Sequence, residues 1–437
     1  MGNSKLTVAA CFGLIAALLI GSAAGSDESR DKSVPPAPTD TFEIRNIEGW
    51  VVYIKKQDLT EHAGEMAEAI DHLQNQLYQI RMTVPAPAVA VMQERVPIWV
   101  EYDSDAATAF HPSYKWLLDR GYRSPEGLPS MVGICRAKNF CRNALHQPWM
   151  VLHELSHGYD YLYLGEGKRY SNSRIEAVYD RARQSGTYEA VVCRYAETAK
   201  HYAITNKMEY FAENTEAYFG TNDFYPFVRA ELREHDPAAY TLLQDLWGVD
   251  ARKQRRTTRS LAKFIQSQNG YAFAAREGKR TGYEPTARYE KRQIEGWMVY
   301  VCPSLILHKA FGDEVCKLLR HKLHLVKRYM PGKALGQLQK VPIWLEQNSP
   351  TVPYMTHHSS QDRLKAANEN PDKLGAIEIA DAEKFVRWQN LQQFAILNLL
   401  ARAYYSRVPD EEAEEIRTAW CKAVESGKYN SALRFDG

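Results

Sequence analysis

A pattern of hydrophobic and polar positions occurs twice along the chain. Residues 45–54 read RNIEGWVVYI, and residues 292–301 read RQIEGWMVYV. Each stretch is rich in β-branched and aromatic residues, which predicts a β-strand. A stretch with helical periodicity follows each strand, at about residues 59–82 in the first copy and 305–329 in the second. We therefore expect both copies to begin with the same strand–helix unit.

A second strand follows in both copies and extends the match. It reads VPIWVE at residues 96–101 and VPIWLE at residues 341–346. Further short matches keep a near-constant register over about 145 residues, which indicates a duplicated domain. We interpret the second copy as truncated, because it reaches Gly437 without a counterpart of the later residues of the first copy. Together these patterns predict an α+β fold.

The first copy contains a short motif that can carry chemistry, HELSH. Pro148 suits the first turn of a helix and Gly165 is a stop signal, so the motif is predicted to be helical. On a helix, His153 and His157 lie one turn apart on the same face. Two imidazoles in this arrangement can share one zinc ion, and Glu154 beside them can act as a general base towards water.

The repeat provides an internal comparison for this motif. When the two VPIW strands are aligned, Asn398 stands at the position of His153, and Arg402 stands at the position of His157. An amide and a guanidinium cannot replace two imidazoles as zinc ligands. We therefore expect the second copy to be a degenerate domain without catalytic chemistry.

A catalytic zinc ion usually has three protein ligands and one open position. Downstream, the stretch TNKMEYFAENTEAYFG at residues 205–220 is predicted to form a helix that ends at Gly220. Glu209, Glu213 and Glu216 recur at i, i+4 and i+7, so they share one face of this helix. One interpretation is a solvated glutamate face with a capping box at Asn206. We favour Glu209 as the third zinc ligand, because the rest of the helix is too apolar to be mostly exposed.

An HExxH helix followed by an EYFAE helix resembles the gluzincin metallopeptidases. The sequence is most similar to lethal-factor-type catalytic domains and to a group of exported bacterial metallopeptidases, over roughly residues 130–225. The resemblance implies a zincin-like domain with a small sheet and an active-site helix. It further implies one zinc ion per chain, held by His153, His157 and Glu209, with Glu213 supporting a zinc-bound histidine.

The same resemblance places a tyrosine in the site seven residues before the glutamate ligand, which is Tyr202 here. Tyr202 would donate a hydrogen bond to the developing oxyanion. The alternative is an aromatic side chain of a β-hairpin that packs on the core. Asp160, one turn after His157, either orients that imidazole or caps a surface. Residues 132–134 are expected to form an edge strand that pairs with an extended peptide substrate.

Composition and charge are those of an ordinary globular protein. The chain has 437 residues, a length that suggests two or three domains, and its 45% hydrophobic and 25% charged residues are ordinary for a globular protein. Its net charge of only +2 gives no electrostatic reason to expect nucleic-acid binding. We therefore expect no nucleic-acid partner, and the resemblance to metallopeptidases implies a peptide or protein substrate.

The N-terminal residues are typical of an export signal. Lys5 is followed by an apolar run at residues 6–20, which is too short for a comfortable membrane span, and then by small residues. We predict a signal peptide at residues 1–25 and a disordered, proline-rich lead-in at residues 26–42. The protein is then expected to be secreted, periplasmic or in the cell envelope, without a membrane span after cleavage. An uncleaved anchor is the alternative.

Export would leave six cysteines, and an even number permits disulfides in an exported chain. Cys135 and Cys141 are close enough in sequence to staple a local loop. Six cysteines nevertheless allow 15 pairings, so the sequence favours no single disulfide.

The sequence therefore predicts a zinc metallopeptidase-like domain at residues 43–250, a linker at 251–289 and a degenerate repeat at 290–437. The expected function is an exported zinc-dependent endopeptidase, in which Glu154 is the general base for hydrolysis of a peptide bond. The alternative is a non-enzymatic binding or scaffold protein of two related domains with a residual metal site.

Overall fold

The computed structural model describes residues 35–165, 169–194, 196–252, 282–349, 351–352, 354–391 and 394–427. The predicted signal peptide, most of the lead-in and most of the linker lie outside these described residues. In the part of the chain that the structure describes, no helix is both long enough and apolar enough to cross a membrane.

The fold is α+β, with two five-stranded sheets and one separate hairpin. The strands of the first sheet are β1 (Phe42–Ile47), β2 (Trp50–Lys55), β3 (Ile98–Val100), β4 (Ala109–His111) and β5 (Met131–Ile134). The hairpin consists of β6 (Val191–Cys193) and β7 (Ala196–Ala199). The strands of the second sheet are β8 (Glu290–Ile294), β9 (Trp297–Val301), β10 (Ile343–Leu345), β11 (Met355–His357) and β12 (Ile377–Ile379).

The helices of the first part of the chain are α1 (Lys56–Glu61), α2 (Ala63–Thr83), α3 (Ala86–Arg95), α4 (Tyr114–Asp119), α5 (Ala137–Asn143), α6 (Met150–Tyr159), α7 (Ser173–Ser185), α8 (Lys207–Phe219), α9 (Arg229–His235) and α10 (Pro237–Leu246). The helices of the second part are α11 (Pro303–Leu307), α12 (Lys309–Tyr329), α13 (Gly332–Leu338), α14 (Gln361–Ala366), α15 (Ala382–Trp388), α16 (Ala395–Tyr405) and α17 (Asp410–Glu425).

The two sheets have the same strand order. It is β1-β2-β3-β5-β4 in the first sheet and β8-β9-β10-β12-β11 in the second. In both, the outer pairs are antiparallel and the inner pairs are parallel. Val52 lies opposite Ile98, and their repeat equivalents Val299 and Ile343 lie opposite each other. The duplication predicted from the sequence therefore extends to strand register.

Each stretch that was expected to form one strand at the start of a copy forms a hairpin instead. Glu48 and Gly49 make the turn between β1 and β2 with φ of 53° and 97°, and Glu295 and Gly296 make the equivalent turn with φ of 52° and 94°. Positive φ at both central residues is the conformation that suits a two-residue hairpin loop. The sequence did not reveal this turn, because Glu-Gly lacks the Asn or Asp that usually marks it.

The described residues divide into two compact units. One contains the first sheet and draws on residues 35–74, 87–144 and 150–173. The other contains the second sheet and draws on residues 75–86, 145–149 and 174 onward. Within these units all six described cysteines are free thiols, so the local disulfide between Cys135 and Cys141 that the sequence permitted does not form.

A buried ionic network in the second sheet replaces an apolar cluster of the first. In the first sheet, Leu128 packs in one cluster with Trp99. The repeat equivalent of Leu128 is Lys373, which is only 2% exposed. The Lys373 Nζ donates to Glu378 Oε1 at 2.6 Å and to Glu346 Oε1 at 2.9 Å. Buried charges of this kind are tolerated only when they are paired.

Replacing Lys373 with Met should therefore leave Glu378 and Glu346 as buried carboxylates without their cation. We expect the free energy of unfolding to fall by about 3–5 kcal/mol, measured by urea denaturation. Lys309→Met is the matched control, because Lys309 pairs with Asp313 on the surface and its loss should change stability by less than about 1 kcal/mol. Equal effects of the two substitutions would contradict the assignment.

The same network is expected to lower the stability of the protein in acid. Burial alone would raise the pKa of Glu378, but Lys373 and His358 together lower it from 4.5 to about 2. A carboxyl group with a depressed folded pKa contributes stability that is present above its unfolded pKa and is lost as the pH falls through its folded pKa. The urea concentration at the unfolding midpoint should therefore decrease as the pH is lowered from 4.5 to about 2. In Lys373→Met, the midpoint should depend less on pH over this range.

Candidate metal centre

Helix α6 carries the HExxH motif and is buried along its whole length. It begins at Met150 and passes into a π-helical turn that ends at Gly165, the predicted stop signal. The rings of His153 and His157 lie one turn apart with centroids 4.8 Å from each other. Asp160 starts the π-helical turn and is only 2% exposed, so it does not cap a surface.

The carboxylate of Glu154 is held by the backbone of the first sheet. Its Oε2 accepts a hydrogen bond from the Phe110 N–H in β4, with an N···O distance of 2.6 Å. One turn later, a Cβ on Gly158 would lie 2.9 Å from Val96 Cγ2 and 3.2 Å from Phe110 Cε2. Only glycine lets α6 approach this closely, and the close approach brings Glu154 within reach of β4.

The strand beside Glu154, β4, is one of the two edge strands of the first sheet. Strand β4 lies outermost, and β5 pairs with β3 on one side and with β4 on the other. The prediction that residues 132–134 form the edge is therefore wrong. Strand β4 has only three residues and no strand pattern of its own, so the sequence pointed to its more apolar neighbour.

Helix α8 begins and ends at the residues that the sequence indicated. The Asn206 Oδ1 accepts hydrogen bonds from the N–H groups of Met208 at 2.9 Å and Glu209 at 3.0 Å. The helix ends at Gly220. These bonds satisfy two of the N–H groups that a helix N-terminus leaves without an intrahelical partner. The cap therefore fixes the first turn, in which Glu209 lies.

The glutamate face of α8 is buried. Glu209 is 4% exposed, Glu213 is 2% exposed and Glu216 is fully buried. The interpretation of these three residues as a solvated face is therefore wrong. Buried carboxylates require hydrogen bonds or cations around them, which agrees with a role in a site.

The structure brings the three predicted metal ligands together. His153, His157 and Glu209 each offer one ligand atom, and these atoms all lie within 4.8 Å of one another. Two imidazole nitrogens and one carboxylate oxygen form a donor set that zinc and related divalent metals accept. The described residues therefore contain a buried His–His–Glu group that can hold a metal ion.

A second group shares a histidine with the first. Ligand-type atoms of His153, Glu213 and Glu216 also lie within 4.8 Å of one another. A carboxylate beside a ligating histidine can accept its other ring N–H and so fix the orientation of the ring. Glu213 therefore lies beside His153, but its role as a support for that histidine stays a prediction; Glu216, to which the sequence assigned no role, lies in the same group.

His201 lies beside Glu213 but is neutral. Its Nδ1 is 3.8 Å from Glu213 Oε2 and accepts a hydrogen bond from the Ala203 N–H at 3.0 Å. A ring nitrogen that accepts a hydrogen bond carries no proton, so the proton is on Nε2. Burial, with a smaller contribution from His235, lowers the pKa of His201 to about 3. This contact with Glu213 is therefore not an ion pair at neutral pH.

Tyr202 begins a 3₁₀ turn between β7 and α8. Its half-buried ring packs against the cluster formed by Val191, Cys193 and Phe224. This is the packing role that was weighed as the alternative to catalysis. The hydrogen bond from Tyr202 to an oxyanion remains a prediction.

Helix α8 is anchored by residues that the sequence analysis missed. Tyr210 donates its hydroxyl hydrogen to Asp236 Oδ2 at 2.5 Å, and Tyr188 donates to the same oxygen at 3.1 Å. The other oxygen of Asp236 caps α10 by accepting the Ala239 N–H. Burial raises the pKa of both phenols well above the usual value, so they remain donors. The Asp236-Pro237 pair is a helix-start signal that could have located this anchor.

The equivalent helix of the second copy is α16. Asn398 and Arg402, which align with His153 and His157, are both exposed on it. Three groups of described residues could hold a metal ion, and none of them includes a residue of α16; the third group, Asp71 with Glu295 and His324, draws two members from the second copy. The absence of catalytic chemistry from the second copy stays a prediction.

Comparisons of the chain with protein-family models, with curated proteins and with solved structures found no match.

Removing the cap of α8 should weaken the structure around Glu209. Asn206→Ala deletes the acceptor of two backbone N–H groups, so we expect a loss of about 1 kcal/mol in the free energy of unfolding, measured by urea denaturation. Ser113→Ala removes the cap of α4 and serves as the control. It should lower stability without changing metal affinity, whereas Asn206→Ala should lower both. Unchanged metal affinity in Asn206→Ala would argue against Glu209 as a ligand.

Proposed function

We propose that this protein is an exported zinc-dependent endopeptidase. The observation that carries the proposal is the buried group of His153, His157 and Glu209. The HExxH helix provides its two histidines, and the separate helix α8 provides its glutamate. This is the donor set of catalytic zinc sites with three protein ligands. Glu154 lies between the two histidines in the sequence and on the same helix. Export is proposed from the N-terminal pattern at residues 1–25.

A bound zinc ion supplies Lewis acidity, which polarises a carbonyl group and acidifies water. Glu154 takes the proton of the attacking water and delivers it to the leaving amine. The Phe110 N–H holds Glu154 Oε2, so this carboxylate keeps one orientation while its other oxygen works as the base. Tyr202 is proposed to donate a hydrogen bond to the oxyanion.

The substrate is proposed to be an extended peptide. Strand β4 lies at one edge of the first sheet. It contacts Glu154, because the Phe110 N–H donates a hydrogen bond to the Glu154 carboxylate. An edge strand can add a peptide as a further strand, here through main-chain groups other than the Phe110 N–H, which is donated to Glu154. The proposed substrate contact is therefore at Ala109–His111 and not at residues 132–134, which lie inside the sheet.

A second candidate function is a non-enzymatic binding or scaffold protein. It is favoured by the second copy, whose sheet has the same strand order as the first but whose helix α16 carries Asn398 and Arg402 at the ligand positions. Under this proposal the metal site would be structural. Hydrolysis of a general protein substrate that chelators abolish would decide for the enzyme.

Glu154→Gln should remove the base and keep the metal. The amide has the same shape and can still accept the Phe110 N–H, but it cannot take a proton from water. We expect peptide hydrolysis to fall by about 10²–10⁴-fold with zinc content unchanged, measured with a peptide library and metal analysis. Glu176→Gln is the control, since Glu176 pairs with Lys207 at the surface and should keep full activity. Undiminished hydrolysis by Glu154→Gln would refute the mechanism.

The purified protein should contain one zinc ion per chain. Treatment with 1,10-phenanthroline should remove the ion and lower the melting temperature, because a ligand bound only to the folded state stabilises it. His153→Ala and Glu209→Ala should each lose the bound zinc and the chelator effect. His308→Ala changes an exposed histidine and should retain both. A wild-type protein without stoichiometric zinc would refute the proposal.

A further inference from the structure

A short segment before α6 contacts the far end of α8. Residues 147–149 join the region of α5 to the first residue of α6, Met150. Gln147 Nε2 donates a hydrogen bond to Glu216 Oε1 at 2.9 Å. We propose that this segment and the end of α8 form a clamp that positions the metal ligands. The inference rests on the proposed function, since it assigns positioning residues to the same metal site.

The second contact of the clamp is steric. Trp149 is 4% exposed, and its indole lies directly on Gly220, the residue that ends α8. A Cβ on Gly220 would lie 1.9 Å from Trp149 Cε2 and 2.0 Å from its Nε1. No side chain fits in this space without moving the indole. Gly220 is therefore required here for close approach.

The two contacts act on the ligands through the rigidity of the helices. Trp149 is followed directly by α6, and His153 lies about one helical turn further along the chain. Glu216 and Glu209 lie about two turns apart on the same face of α8. A displacement at Gln147 is therefore carried along α6 to His153. A displacement at Gly220 is carried along α8 to Glu209.

Glu216 connects the clamp to the site itself. One oxygen of Glu216 accepts the hydrogen bond from Gln147. Glu216 also belongs, with His153 and Glu213, to the group whose ligand-type atoms lie within 4.8 Å of one another. Holding Glu216 in place thus holds a carboxylate beside a metal ligand. Residues in such supporting positions change metal affinity by about 10–100-fold when they are replaced.

The test measures binding of Co²⁺, which reports the coordination geometry through its visible absorption bands. The variants are Gln147→Met, which keeps the volume and removes the donor, and Gly220→Ala. We expect both to bind Co²⁺ about 10–100-fold more weakly in competition with a chelator, with altered absorption bands. Urea denaturation of the metal-free proteins, run in parallel, separates this effect from a general loss of stability.

The chain offers matched controls for both variants. Gln57 donates a hydrogen bond of 2.9 Å to Glu61 on an exposed helix, so Gln57→Met breaks an equivalent bond elsewhere. A Cβ on Gly64 would meet no atom within 4 Å, so Gly64→Ala adds the same methyl group in open space. Both controls should bind Co²⁺ as the wild type does.

Exchange of the two clamp side chains tests the hydrogen bond directly. Gln147→Glu places a carboxylate against Glu216 and should weaken Co²⁺ binding by repulsion. The double variant Gln147→Glu with Glu216→Gln restores a donor–acceptor pair in the reverse direction. It should bind Co²⁺ at least tenfold more tightly than the single variant Gln147→Glu. A purely structural contact would restore stability in this exchange without restoring affinity.

The outcomes separate the two proposals. A wild-type protein that takes up no Co²⁺ overturns the proposed function and the clamp with it. A wild-type protein that binds Co²⁺, with Gln147→Met and Gly220→Ala binding within about twofold of it, overturns the clamp alone and leaves the metal site. If Gly220→Ala does not fold, Gln147→Met decides, because Gln147 is only half-buried.

Discussion

Burial of carboxylates beside two histidines is the constraint on which the candidate site depends. Glu209, Glu213 and Glu216 are each at most 4% exposed, and desolvation makes a buried carboxylate unfavourable unless polar or cationic groups surround it. The ligand-type atoms of His153 lie among these carboxylates. A divalent ion would satisfy both the imidazoles and Glu209. A metal ion at this position would therefore explain why the glutamate face of α8 is buried.

Neutral groups hold the charged residues of this site in position. A backbone N–H holds Glu154, a side-chain amide caps the first turn of α8 at Asn206, and a second amide, from Gln147, holds Glu216. Burial keeps His201 uncharged beside Glu213. Because these supports bring no positive charge, they orient the carboxylates without competing with a cation.

The duplicated framework is used in two different ways. The two sheets share strand order and register, and yet Leu128 of the first corresponds to the buried Lys373 of the second. Helix α6 buries two histidines, whereas α16 exposes Asn398 and Arg402 at the same positions. The backbone topology thus tolerates both an apolar cluster and an ionic network, since each satisfies the groups that it buries.

Local sequence determined the features that depend on neighbours along the chain. The repeat, the helical spacing of His153 and His157, the cap at Asn206 and the end of α8 at Gly220 follow from periodicity and from cap residues, so they could be predicted. Tertiary structure alone decided that β4 and not β5 lies at a sheet edge, that the six described cysteines stay unpaired, and that Gln147 reaches Glu216. These features join residues that are distant in sequence, and no local pattern records which distant partner a side chain will meet.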